Sequence, residues 1–275
     1  MEPVATSYPW KEHEIFSSLR LPKCGFYVVR CDGRNFHRLT EECGFQKPYD
    51  KRFAELMVEA TLEVFRSGFN PCLAYIFSDE VNILLLRLPF NGRLEKIVST
   101  ISGILSSAFS LKLKEKLGVE KTSAFDSRMI LLNRELLPSY LAYRQAEAWR
   151  NHNNSYAYYT LINKGYAPKE ASVMLKGLKT NQLHELVYKM SGLNLSKTPS
   201  WQRRGILIKY LIEKKYGYNP VKKRKVVTYR RRLTVNWEPP LFESEKGREI
   251  IEESIRNFLD YPPHDGKARS QYSSF

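Results

Sequence analysis

Three acids sit where their type and spacing can do chemistry. Asp32 closes the apolar run GFYVVRC and is followed by Gly33, while Asp79 and Glu80 form the polar tip of CLAYIFSDEVNILLLR. Carboxylates held a few ångströms apart repel one another and call for cations between them. Mg2+ suits such a place, because it takes few protein carboxylates and completes an octahedron with water and phosphate oxygens. Two Mg2+ ions there can activate an attacking oxygen and stabilise a leaving one. Gly33 lets the backbone approach a metal or phosphate closely, and its carbonyl is a candidate further ligand. Either piece alone reads as an ordinary turn or hairpin tip. Together, in a basic chain, they read as the metal site of a polymerase or nucleotide-cyclase palm.

The surrounding elements have to bring these acids together. GFYVVRC (25–31) reads as a buried strand, and residues 50–67 carry Phe53, Leu56, Met57, Ala60 and Val64 at helical spacing. Residues 72–87 read as two strands around the SDE tip, a hairpin. A long helix over 93–118 and a strand over 123–132 follow. The order β-α-β-β-α-β predicts an α+β, ferredoxin-like (split βαβ) palm in residues 1–135. The first strand and the strand entering the hairpin are its expected central neighbours. From 136 to 275 the chain turns helical and basic. Residues 139–165 give one helix or two in tandem, two shorter helical pieces end in Gly, and YNPVKKRKVVTYRRRLTVNW suggests a basic strand or hairpin. The tail DYPPHDGKARSQYSSF is polar and expected to fray.

Charge points to a partner. Over 275 residues the net charge is +15, with 43% hydrophobic residues to build a core. Such a basic excess favours a polyanion, nucleic acid being the common case. No run of about 18 apolar residues exists to span a bilayer, and the N-terminus has no apolar signal core, so a cytoplasmic protein with no membrane partner is expected. Cys24, Cys31, Cys43 and Cys72 form no CxxC pair and read as reduced thiols.

The segments RCDGRNFHRLTEECGFQKPYD, IFSDEVNILL, AFDSRMILL and YRQAEAWRNHNNSYAYYTLI resemble, in order, signatures of the tRNA-His guanylyltransferase family. The resemblance is good over residues 25–165 and weaker through PSWQRRGILI. It implies a polymerase-type palm that extends RNA in the 3′–5′ direction, adding nucleotides to the 5′ end of tRNA from GTP, ATP or other nucleoside triphosphates. It puts metal binding on Asp32, Gly33 and Asp79, with Ser78 and Glu80 beside them. GRNFHRL (Arg34, Asn35, Phe36, His37) matches the loop around the incoming nucleotide. Lys47 matches a lysine linked to 5′-end activation, and Arg93 and Lys96 match residues that hold a triphosphate. Trp149 stands where eukaryotic members carry the histidine of HINNLYN. Asn151 matches that motif's first asparagine, and Asn154 matches the guanylyltransferase-like branch, which repairs truncated 5′ ends by templated addition. The resemblance also implies a homo-oligomer, dimer or tetramer. A palm-type nucleotide cyclase and a non-catalytic tRNA-binding protein are the alternative readings.

Further candidates concern RNA. Arg144, Gln145, Arg150, Asn151 and Asn154 share one predicted helix, with Arg144 and Asn151 two turns apart. They form a polar rail for the tRNA end or a solvated helix face; the resemblance favours the rail. Residues 222–232, KKRKVVTYRRR, hold seven cations in eleven residues, with Val226, Val227 and Tyr229 interleaved. Arg230, Arg231 and Arg232 are read as tRNA backbone contacts, and Arg203 and Arg204 as weaker ones. Tyr156 to Thr160 read as core, and Asp126 as a structural partner of Arg128.

Overall fold

The computed structural model describes residues 13–219 and 223–260. Lys222 and all but the first residue of the expected frayed tail lie outside them. β1 (Phe26–Gly33) leads through the short α1 (Phe36–Glu42) and α2 (Lys51–Arg66) to the hairpin β2 (Leu73–Phe77) and β3 (Glu80–Leu85). α3 (Leu94–Leu117) and β4 (Phe125–Leu132) follow, then the helices α4 (Leu136–Asn163), α5 (Pro168–Leu175), α6 (Thr180–Ser191) and α7 (Ser200–Arg204). A long hairpin, β5 (Ile206–Asn219) and β6 (Arg224–Asn236), precedes α8 (Glu245–Asp260).

One sheet runs in the order β4-β1-β3-β2-β5-β6, every adjacent pair antiparallel. This corrects the expected neighbour of β1. The crossover from β1 through α2 to β2 leaves a gap between two parallel strands, and β3 fills it. The strand leaving the hairpin, not the one entering it, therefore lies beside β1, with Asp32 opposite Glu80.

Alternation along the strands builds a core on each face. Tyr27, Val29, Cys31, Ile76 and Ile83 pack against Leu56, Met57 and Val64 of α2 and Ile101, Leu105 and Phe109 of α3. Val28, Leu73, Tyr75 and Leu84 pack on the other face against Leu137 and Leu141 of α4 and Ile251, Ile255 and Phe258 of α8. Covered on both faces, β2 and β3 are buried throughout. α2 begins where the Asp50 carboxylate accepts the Arg52 N–H at 2.8 Å, an N-cap that supplies one of the helix's unpaired donors with a partner.

Residues 136–163 form one helix and not two. α8 was not singled out in the sequence, although Ile251, Ile255 and Phe258 recur at i, i+4, i+7 and are buried. Nor was the seating of β5 on β2, through Ile206 to Lys209, which joins the C-terminal region to the first four strands. Among the described residues no helix is long and apolar enough to cross a membrane.

Candidate active site

The hairpin tip is folded over the end of β1. The Gly33 N–H donates to the Asp79 carbonyl at 3.1 Å, and the next residue, Arg34, donates its N–H to the Ala124 carbonyl at 2.8 Å. The end of β1 is thus held from both sides, with Asp32 paired across the sheet to Glu80 and to Asp126. Ser78 and Asn35 both adopt left-handed backbone, at φ 50° and 58°. Such conformations are unfavourable for non-glycine residues and gather at functional sites. A Cβ on Gly33 would stand 2.6 Å from the Phe36 ring, so only glycine lets that buried ring close against the strand end. Phe36 itself is held by Phe53, Phe109 and Phe125.

Burial pushes the Asp79 carboxyl up to about 6, and the Asp32 and Glu80 carboxylates push the same way. A divalent cation between Asp32 and Asp79 would relieve the repulsion between them, and both supply the hard oxygen donors such an ion takes. Among the described residues no three His, Cys, Asp or Glu side chains converge as a closed metal cluster. An open pair of carboxylates suits a metal that keeps water and substrate oxygens as ligands.

Asp79 opens onto a cavity of about 300 Å³. Its lining unites Phe36, His37, Lys47, Ser78, Asp79, Asn151 and Asn154, seven residues picked from scattered parts of the sequence. Lys47 donates to the Thr40 hydroxyl at 2.6 Å, and burial lowers its pKa. His37 is exposed, 3.5 Å from Glu41. The cavity also takes in Tyr49, Asp50, Tyr159 and Trp201, which the sequence reading did not single out as site residues. Tyr49 stacks on Tyr156 at 5.8 Å and meets Trp201 edge-on. The signal for this wall was the aromatic PYD turn before α2, which reads as a loop until α4 and α7 pack over it.

Two expected assignments are corrected by the geometry. Glu80 is no free catalytic acid, and Arg144 no RNA contact: both are buried and grip each other, Arg144 Nε donating to Glu80 Oε1 at 2.8 Å and Nη2 to Oε2. Asn82 Nδ2 donates to Glu80 Oε1 at 2.7 Å, and the Tyr140 hydroxyl donates to Asn82. Gln145, next along α4, donates to the Arg204 and Pro240 carbonyls and accepts from the Phe242 N–H. Only Arg150, Asn151 and Asn154 of the expected rail are exposed, with Arg150 bound to Glu147.

Arg93 and Lys96 are not brought to the acids within one chain. β3 begins opposite Asp32 and ends opposite Tyr27, so the N-terminus of α3 stands at the far end of the sheet, about 20 Å away by strand rise. There Lys96 lies 4.8 Å over the Phe90 ring. Arg203 donates to the Thr198 carbonyl. Arg230, Arg231 and Arg232 line up on β6, Arg232 paired with Glu213 and Arg231 3.7 Å over the Tyr210 ring. Asp126 accepts from Arg128 at 2.7 Å, the structural role expected of it.

A carboxylate pair beside an aromatic cavity with a lysine at its wall is compatible with a nucleotidyltransferase, and comparison with known proteins sets that class. The family of tRNAHis guanylyltransferase matches residues 9–133 and the Thg1 C terminal domain matches residues 135–240. A probable tRNA(His) guanylyltransferase of Dictyostelium discoideum is 32% identical over 74% of this chain and 83% of its own. The tRNA(His) guanylyltransferase of Schizosaccharomyces pombe is 30% identical over 71% and 76%. Among solved structures, a bacterial tRNA(His) guanylyltransferase (Thg1)-like protein in complex with ATP superposes with a TM-score of 0.71 at 25% identity, over 90% of this chain and 97% of that one. The chain belongs to the tRNAHis guanylyltransferase family.

Proposed function

We propose that this protein adds nucleotides in the 3′–5′ direction to the 5′ end of tRNA, guided by pairing with the opposing strand. The products would be a repaired 5′ end, an added G-1 on tRNA-His, or both. The observation that carries the reading is that the end of β1, with Asp32, is hydrogen-bonded to the hairpin tip, whose Asp79 lines a cavity of about 300 Å³. The β-α-β-β-α-β portion, residues 1–135, is read as a ferredoxin-like palm, and residues 136–275 as a helical, basic region that helps to hold tRNA. Cytoplasmic residence and a homo-oligomer, dimer or tetramer, belong to the same reading.

Asp32, the Gly33 carbonyl and Asp79 would hold two Mg2+ ions. When bound, the metal supplies charge stabilisation for the attacking and leaving oxygens. The 3′-hydroxyl of the incoming nucleoside triphosphate forms a bond to the α-phosphorus of the 5′-triphosphate on tRNA. The α–β P–O bond breaks, pyrophosphate leaves with the electron pair, and the hydroxyl proton passes to solvent. A 5′-monophosphate end must first be activated by a nucleotide, the step to which Lys47 is assigned. Arg34, Asn35, Phe36, His37 and Ser78 shape the nucleotide site, and Tyr49 and Trp201 wall it against water. No side chain is required as general base, because positioning and electrostatics carry most phosphoryl transfer.

Asp79→Asn tests this directly. Nucleotide addition should fall at least a hundredfold with tRNA affinity within twofold of wild type; near wild-type turnover in Mg2+ would remove Asp79 from the metal site.

A further inference from the structure

The β5–β6 hairpin is longer than its seat. β2 covers β5 only from Ile206 to Lys209, yet the two strands stay paired out to Asn219 and Arg224. The outer part therefore extends past the sheet by about 30 Å, at about 3.3 Å per residue. Its register fixes which side chains share a face. Tyr216 lies opposite Val227, Tyr218 opposite Lys225, and Lys214 opposite Tyr229. One face of the arm thus carries three tyrosines and a valine flanked by two lysines. Closer to the body the same face is core, with Tyr210 opposite Leu233 and Ile208 opposite Val235. Further out it is exposed, Tyr216 at 76%, Tyr218 at 62%, Tyr229 at 47% and Val227 at 46%, with the Lys214 ammonium 5.3 Å over the Tyr216 ring. The opposite face bears the exposed Arg230 and Arg232. Residues 206–236 hold ten lysines and arginines and a single acid, Glu213.

We propose that this arm is a docking surface for unpaired RNA, with bases laid on the tyrosine face and phosphates on the flanking cations. The inference rests on the RNA substrate proposed above and names the part of it that the arm would take. Phosphate attraction explains a basic arm but not exposed rings on one face of it. A duplex hides its base faces and offers phosphates and 2′-hydroxyls. Unstacked bases, by contrast, bind flat on aromatic side chains whatever their sequence. A tRNA carries such bases in its loops and at its 3′ end.

The test uses the full chain and two probes, an unstructured twelve-nucleotide RNA and an RNA duplex of the same length, with 5′-nucleotide addition to tRNA assayed in parallel. Tyr216→Ala with Tyr218→Ala should weaken single-strand binding about thirtyfold, leave duplex binding within twofold, and leave the salt slope unchanged. Tyr216→Phe with Tyr218→Phe should restore it, which separates stacking from folding of the arm. Arg230→Gln with Arg232→Gln should weaken both probes and flatten the salt dependence. Unchanged single-strand affinity in the double alanine variant would overturn the proposal. So would a change in oligomeric size with RNA affinity intact, which assigns the face to a second copy, or loss of binding only to phosphatidylserine vesicles, which assigns it to a lipid surface. If the wild type adds no nucleotide to tRNA, the proposed function fails instead, and the probe titrations judge the arm separately.

Discussion

At the scale of single residues, one buried histidine shows how the site is supported from behind. His152 Nε2 meets the Thr198 hydroxyl at 2.8 Å, and that hydroxyl in turn reaches the Leu195 carbonyl at 2.8 Å. Nδ1 faces Asn153, which also meets His184. Trp149 stacks on the ring at an interplanar angle of 5°. Burial holds the His152 pKa down to about 4, from an ordinary 6.5. The unfolded chain therefore takes up a proton near pH 6.5 that the folded chain refuses until about pH 4. His152 costs nothing above that window, and stability falls as pH drops through it, by about 3 kcal/mol in full. Urea unfolding at pH 7.5 and 4.5 should show a steeper loss for wild type than for His152→Gln. Parallel losses would place the sensitivity elsewhere.

At the scale of elements, α4 is bolted to the β2–β3 hairpin through Arg144 and Glu80. Arg144→Met leaves the buried Glu80 with only the more distant Arg30, at 3.9 Å, and should cost about 3 kcal/mol. Adding Glu80→Gln should recover most of that loss, since the desolvated charge goes with it; chemical denaturation of the single and double variants measures the coupling. A double variant as unstable as Arg144→Met would mean that the pair is not what joins the two elements. This pair also shows what the sequence hid. Helical spacing placed Arg144 and Asn151 on one face of α4, but spacing does not say which face meets the sheet, and Arg144 turned inward. Order and type of the elements from β1 to β4 were legible because their apolar periods are strong and their breaks are marked by Gly and polar tips. Which strand lies beside β1 was not, because it depends on the crossover gap and not on any local pattern. Asp32, Gly33 and Asp79 stood out in the sequence at the ends of apolar runs. Tyr49, Asp50 and Trp201 did not, because they come together only once α2, α4 and α7 close a cavity between them. Arg93 and Lys96 match signatures in sequence, yet the length of the sheet keeps them from the acids of their own chain.

At the scale of the whole molecule, a single sheet joins chemistry to grip. The acids stand at one end of β1 and β3, while β5 and β6 carry the same sheet outward into a basic arm. A nucleotide cyclase would need the first part and not the second, and a passive RNA binder the second and not the first. Both parts in one chain of net charge +15 fit an enzyme whose substrates are a nucleoside triphosphate and an RNA. The two substrates should therefore depend on each other. The most direct test is incubation of the wild-type protein with Mg2+, labelled nucleoside triphosphate and a tRNA lacking its first nucleotide, with product length read in the presence and absence of a complementary base on the 3′ strand. The account predicts label at the 5′ end, one nucleotide longer than the input, and dependent on the complementary base. Turnover of nucleotide without RNA, or RNA bound with no label transferred, would contradict it.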